Sequence, residues 1–400
     1  MESGVAVVTP ELMLGDEAVA LGAIDAGITG AYAYPGTPST EIFARVIHEA
    51  ASTETDVTAH WCANEKSSLE AALGCSMAGR RALVTMKHVG LNVAADPFMN
   101  APLLGLGGGL VIAVADDPGM HSSQNEQDTR YYAEFAHVPC LEPATAQEAY
   151  EMTVRAFEVS ERFQRPVLLR LVTRLCHERA GVVRGERREQ NPVKKATPPQ
   201  DWTLLPVHAR RLWGGVLEQD PEVKQWSATY EGTSWTKGTG RRGVITAGVS
   251  RRYFLEVEDE LPEVPPHLHI AAYPVPDQVL HDFAEDLDEI FVVEEGYPFI
   301  ETRLAGIMET KKKVLGKLTG NLPPAGELTP GLVRLSLGLE RIERFELPAE
   351  ATVPPRPPQL CQGCVHSEAY AALDMALEGY GERHENVVAG DIGCYTLGAL

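Results

Sequence analysis

The sequence predicts an α/β protein built from several doubly wound parallel-sheet domains, on three observations. From residue 12 to 180, short apolar runs alternate with segments of helical periodicity. The same alternation resumes at residue 242 after an Arg- and Pro-rich interruption. Clusters of glycine, proline and hydroxyl residues stand where the apolar runs end, as at strand-to-helix turns. Strands that alternate with helices form a mostly parallel sheet covered on both faces, with ligands gathering at the carboxyl ends of its strands.

The elements follow in order. Gly15 to Ala26 sets Ala18, Leu21 and Ile24 at helical spacing, and Ala31 to Tyr34 reads as a strand running into the turn YPGTPST. Helix (Thr40 to Ala51), strand (Val57 to Trp61), helix (Glu65 to Met77) and strand (Ala82 to Met86) come next, with a further strand at Gly109 to Ala115. Residues 1–180 thus read as one domain. Residues 181–241 hold Pro192, Pro198, Pro199 and Pro206 with Trp202, Trp213, Trp226 and Trp235, and read as a linker with docked elements, because tryptophan at that density is costly to expose. A second α/β unit spans 242–318, with GVITAGVS as strand and turn, Tyr253 to Leu261 as helix, and His269 to Ala272 and Ile290 to Glu294 as strands. Residues 319–358 form a Pro/Gly-rich spacer. Residues 359–400 open a third unit: CQGCVH, a helical segment carrying Tyr370, Leu373 and Leu377, then VVAGDIGCYTLGAL.

Composition narrows the class. In 400 residues, 44% hydrophobic and 23% charged residues are ordinary for globular domains, and no apolar run is long enough to span a membrane. The first ten residues lack the basic-then-apolar pattern of a signal peptide, so a cytoplasmic protein is expected. A formal charge of −21 argues against a nucleic-acid surface. Seven cysteines without a secretory signal read as thiols and ligands rather than as a disulfide framework. Cys62, Cys75, Cys140 and Cys176 have no ligand spacing and read as packed thiols.

Cys361 and Cys364, with Cys394 about thirty residues on, have the spacing of a soft-metal or iron–sulfur centre one ligand short of four. Two ordinary thiols or a redox pair are the plain alternatives. The GDIG turn, with Asp391 and Gly393, has the strand-to-loop glycines that let backbone N–H groups approach a phosphate. In YPGTPST, prolines that fix the turn and a hydroxyl that caps the next helix are a sufficient structural account. Glu65 opens a helix at the carboxyl edge of the sheet, where a dipole-favoured, solvated glutamate is common. Lys87 and His88 are polar residues in an otherwise apolar stretch, and such a histidine is often purely structural. Residues 116–130, DDPGMHSSQNEQDTR, are dense enough in polar groups to satisfy one another. Glu294 and Glu295 are adjacent on a strand and point to opposite faces, against a catalytic pair.

These motifs, in this order, resemble the 2-oxoacid:ferredoxin oxidoreductases, most closely the large subunit of the indolepyruvate type, along nearly the whole chain. The resemblance implies a pyrimidine-type thiamine-binding domain at 1–180, a transketolase carboxyl-terminal-like domain at 242–318, and the start of a thiamine-diphosphate-binding domain at 359–400. The chain then reads as truncated before the family's downstream GDG…N element, with a fourth cluster ligand expected beyond Leu400. By the resemblance, Glu65 meets N1′ of the aminopyrimidine, Thr37 faces the keto-acid carboxylate, and Lys87 and His88 lie beside substrate and cofactor. Gly36, Gly90, Asp391, Gly393 and His366 fall on the cofactor side, and Cys361, Cys364 and Cys394 on a [4Fe–4S] cluster. The implied cofactors are thiamine diphosphate and Mg2+, with coenzyme A as co-substrate. The implied partners are a smaller subunit in a hetero-oligomer and ferredoxin or a similar acceptor. The implied reaction is oxidative decarboxylation of an aryl 2-oxoacid to an acyl-CoA. Gln362 departs from the proline usual in the CxGC motif. A non-redox thiamine lyase or ligase, or an assembly subunit with a structural metal, would share some of these features.

Overall fold

The computed structural model describes residues 9–52, 56–194, 197–307, 312–342 and 360–381. They fall into two units, 1–342 and 343–400.

In the first unit the chain runs β1 (Glu11–Leu14), α1 (Gly15–Asp25), β2 (Gly30–Ala33), α2 (Thr40–Ser52), β3 (Thr58–Trp61), α3 (Glu65–Met77), β4 (Ala82–Lys87), α4 (His88–Val93), α5 (Ala95–Asn100) and β5 (Leu110–Asp116). It continues through α6 (Arg130–Phe135), β6 (Cys140–Leu141), α7 (Ala146–Phe163), β7 (Val167–Val172), α8 (Thr173–His177) and β8 (Arg179–Val182). Then come α9 (Pro206–Ala228), β9 (Ser234–Thr236), β10 (Arg242–Ala247), α10 (Ser250–Leu255), β11 (His267–Ile270), β12 (Ala272–Tyr273), α11 (Asp277–Ala284), β13 (Glu289–Val293), α12 (Phe299–Ile307), β14 (Lys313–Leu315) and α13 (Pro330–Ser336).

Among the described residues the strands form three sheets. The largest has the order β12-β6-β7-β5-β4-β2-β3, the next β14-β13-β10-β11-β9, and β1 and β8 form an antiparallel pair. Apart from β12 and β9, which run antiparallel to their neighbours, the two larger sheets are parallel. β5 and β7 are buried at every residue, the continuous apolar reading of strands covered on both faces. The order of the large sheet has a consequence for ligands. From β2 the chain steps outward to β3, then returns past β2 to β4 and builds away on the other side. The loops leaving β2 and β4 therefore diverge, and the crevice between them is the topological switch point where α/β sheets take their ligands.

Three sequence expectations change here. The segment 181–241 holds a 23-residue helix, α9, begun by Pro206 at its first turn. It docks through Trp226 on Phe163, with ring centroids 6.0 Å apart, and through Asp220, which accepts from Arg165 at 2.8 Å and meets His137 at 2.6 Å. The single strand expected at His269 to Ala272 is two strands in two sheets. β11 pairs with β10, and after Ala271 the chain crosses so that β12 pairs with β6. The helix expected to reach Leu261 ends at Leu255 and is followed by a short 3-10 turn, Glu258–Glu260.

In the second unit the described element is α14 (Val365–Leu377), which has no buried residue. No helix among the described residues is long and apolar enough to cross a membrane.

Candidate active site

Glu65, Lys87, His88 and Gly90 come together at the switch-point edge of the large sheet, each placed by a strand end. Asn64 caps α3, its side chain accepting from the Ser67 amide at 2.9 Å, which fixes Glu65 as the first helical residue after β3. Glu65 is only 8% exposed, so it is no solvated helix-start glutamate. Its carboxyl lies directly against Gly90 on α4, where a methyl group would stand 2.5 Å from Oε1 and 2.9 Å from Cδ. Glycine at this position is what lets the carboxyl lie there.

Lys87 ends β4, and its stem packs on Gly36 of the YPGTPST turn, where an added Cβ would stand 3.0 Å from Lys87 Cδ. The ammonium donates to Ser122 O at 2.8 Å. Burial lowers the Lys87 pKa, while the nearby carboxylates of Asp117 and Glu65 favour its charge. His88 is fully buried. Its Nε2 lies 3.0 Å from Asn125 O, and since a carbonyl only accepts, Nε2 carries the hydrogen. Nδ1, left with its lone pair, is buried without a partner. Thr37 is exposed on the turn after β2, and its carbonyl accepts from Ser122 Oγ at 3.1 Å. The Gly36 amide donates to Thr40 Oγ1 at 2.9 Å, closing the turn onto α2.

The 116–130 loop holds both sides of the crevice. Asp117 accepts from the Ser122 amide (2.8 Å), Ser123 Oγ (2.8 Å) and Thr173 Oγ1 (2.7 Å). Burial pushes its pKa up, but these bonds outweigh it and hold the carboxylate below its usual range. Behind the loop lies a buried charge network that sequence reading missed, because its members are up to 165 residues apart. Arg170 Nε donates to Asp116 at 2.7 Å and its guanidinium also pairs with Glu142. Arg130 Nε donates to Asp128 at 2.9 Å and Nη1 to Glu294 at 2.8 Å, and both arginines reach the Glu295 carbonyl. Glu294 also accepts from the Ile300 amide at 3.0 Å. The signal available was the density of charge in DDPG…QDTR; its partners on β7 and just after β13 carried none.

One cavity of 370 Å³ is lined by Arg130, His137, Arg165, Tyr273, Phe299 and Arg303 and shares none of the candidate residues. Its guanidinium groups are engaged by Asp128, Asp220 and Asp277.

In the second unit, Cys364 is the N-cap of α14, and its sulfur lies 3.2 Å from His366 Nδ1, while Cys361 is exposed. Asp391, Gly393 and Cys394 lie outside the described residues.

The comparisons with known proteins give the class. Residues 21–212 match the family model described as pyruvate flavodoxin/ferredoxin oxidoreductase, thiamine diphosphate-binding, so the chain carries a domain of that family. Within it, the chain is similar to indolepyruvate oxidoreductase subunit IorA of Archaeoglobus fulgidus, 39% identical over 96% of this chain and 64% of the relative. It is similar to the same subunit of Thermococcus kodakarensis, 38% identical over 97% of this chain and 62% of the relative. The chain thus spans less than two thirds of the length of these relatives. Among solved structures, a 2-oxoglutarate:ferredoxin oxidoreductase from Magnetococcus marinus, with 2-oxoglutarate, coenzyme A and succinyl-CoA bound, superposes with a TM-score of 0.63 at 16% identity, covering 82% of this chain and 65% of that one. That likeness is one of fold.

Proposed function

We propose that this chain is the thiamine-binding subunit of an oxidoreductase that decarboxylates aryl 2-oxoacids, indolepyruvate and phenylpyruvate, to acyl-CoA and passes the electrons to ferredoxin or a similar acceptor. The observation that carries the reading is the Glu65 carboxyl, buried at the carboxyl edge of β3 and seated on Gly90. The residues present fit the pyrimidine end of the cofactor, since a buried carboxyl follows β3 and His88, following β4, keeps a buried, unpartnered Nδ1.

Bound thiamine diphosphate supplies a ring that accepts the electron pair released with carbon dioxide. Glu65 holds or returns a proton at N1′ of the aminopyrimidine, and burial strengthens that hydrogen bond. Lys87, whose charge Asp117 and Glu65 favour against burial, and the exposed Thr37 hydroxyl bind the substrate carboxylate. His88, fixed through Asn125, presents Nδ1 as an acceptor. Gly36 leaves room for the Lys87 stem. Asp391 and Gly393 belong to the turn that takes the diphosphate, with the Mg2+-binding element expected downstream of it. Cys361, Cys364 and Cys394 supply three ligands of a [4Fe–4S] cluster, with His366 beside them. The relatives are named as subunits, which supports a smaller partner in a hetero-oligomer. The coenzyme A and succinyl-CoA of the Magnetococcus marinus structure support coenzyme A as co-substrate.

The test is anaerobic dye reduction by the protein purified with its co-encoded partner, using indolepyruvate or phenylpyruvate and coenzyme A. Reduction should require coenzyme A and be lost in Glu65→Gln. Full activity in Glu65→Gln, or metal content of zinc without iron, would overturn the proposal.

A further inference from the structure

We propose that Asp16, Glu41 and His177 form a binding site for one divalent first-row transition-metal cation of the Mn2+ type. The three residues come from the first turns of α1 and α2 and the last residue of α8, and one ligand atom of each lies within 4.8 Å of the other two. Asp16 is fully buried, and neither of its carboxyl oxygens has a hydrogen-bond partner; Oε2 of Glu41 is also buried and unpartnered. The closest donor to Asp16 is the Cys176 thiol, a weak one that falls short of hydrogen-bond geometry. The neighbouring Glu17 is no rival ligand, because its carboxylate is taken by the Leu14 amide at 2.9 Å and by Arg45 at 3.0 Å.

A buried carboxyl without donors costs on the order of 1–3 kcal/mol, and a cation removes that cost directly. Metal–ligand bonds of roughly 2.0–2.2 Å hold three ligand atoms about 3–3.8 Å apart, so a side-chain adjustment of up to about 1 Å closes the set. Two carboxylates and one imidazole suit Mn2+ better than a thiophilic ion. The cluster is separate from Glu65 and Lys87. A cation there joins α1 and α8 to α2, one residue beyond the Thr40 hydroxyl that closes the Thr37 turn. Burial also drives the Asp16 pKa well above the usual carboxylate range, so the competing state is a neutral acid that binds no ion.

The test is titration of the chelator-treated full chain with Mn2+, free Mn2+ being read by electron paramagnetic resonance without thiamine diphosphate. Thiols hold Mn2+ poorly, so Cys361 and Cys364 do not compete. The expected result is one Mn2+ per chain, with affinity at least tenfold weaker in His177→Ala and Glu41→Gln and binding abolished in Asp16→Asn. His177 is exposed and Glu41 partly so, which keeps those two variants folded should Asp16→Asn prove unstable. No bound Mn2+, or an affinity unchanged in His177→Ala and Glu41→Gln, would overturn the assignment.

Discussion

Replacing Gly90 by alanine tests whether the Glu65 carboxyl must lie where it does. The added methyl would stand 2.5 Å from Oε1, 2.7 Å from Cγ and 2.9 Å from Cδ of Glu65. Ordinary contact is about 3.5–4.0 Å, so the carboxyl has to retreat by roughly 1 Å. A misplacement of about 1 Å costs on the order of 100-fold in rate, about 2.7 kcal/mol of transition-state stabilisation. Overpacking costs about 1–3 kcal/mol of stability, and the gain of alanine over glycine in a helix offsets up to about 1 kcal/mol of that. Gly90→Ala should therefore fold and lose activity. Gly74, exposed on α3 with no atom within 4 Å of an added Cβ, is the control. Gly74→Ala should keep full activity and gain about 0.5–1 kcal/mol. The assay is kcat/KM for dye reduction beside the thermal midpoint of each variant. A folded Gly90→Ala protein with kcat/KM within about twofold of the parent refutes the argument.

Two further outcomes follow from the buried charges. Arg170→Ala strands Asp116 and Glu142 without their cation and should cost about 3–5 kcal/mol in urea denaturation; a loss below about 1 kcal/mol would mean that water or relaxation replaces the arginine. Glu295 is pushed up to about 7, first by burial, against the pull of Lys317 and the Leu328 amide. A carboxyl whose folded pKa lies above its unfolded value binds more protons in the folded state, so it stabilises at low pH and that contribution is lost as pH rises from about 4.5 through 7. Glu295→Gln should remove this slope, with the largest gain over the parent above pH 7; parallel pH–stability curves for the two proteins would show that Glu295 does not titrate there.

Local pattern carried much of the first sheet into view. The helix at Glu65 to Met77 matches the structure residue for residue, because an Asn cap, small residues at helical spacing and a following Ala-Gly turn all agree. Thr37, Glu65, Lys87 and His88 stand at or shortly after strand ends, where the same local pattern placed them. The helix α9 was not, since Gly214, Gly215 and Pro221 break the helical pattern within it and its stability comes from docking on α7 and the His137–Asp220–Arg165 contacts. The burial of Glu294 and Glu295 was also hidden. They do point apart as strand neighbours should, one to Arg130 and one to the Leu328 amide, but the groups that neutralise them lie far off in sequence. The Asp16 cluster joins three separate segments, and no spacing rule links residues 16, 41 and 177.

The crossing at Ala271 bears on how the chain can be divided. Ala272 and Tyr273 are donated to the sheet of the first 180 residues, where they cover β6, and the Tyr273 hydroxyl reaches Glu142 at 2.5 Å. A fragment ending at residue 241 would bare the edge of β6 and leave Arg130 without Glu294. The two large sheets share a hem, so neither is a module that can be cut out, swapped or expressed alone, and limited proteolysis should release no stable amino-terminal half.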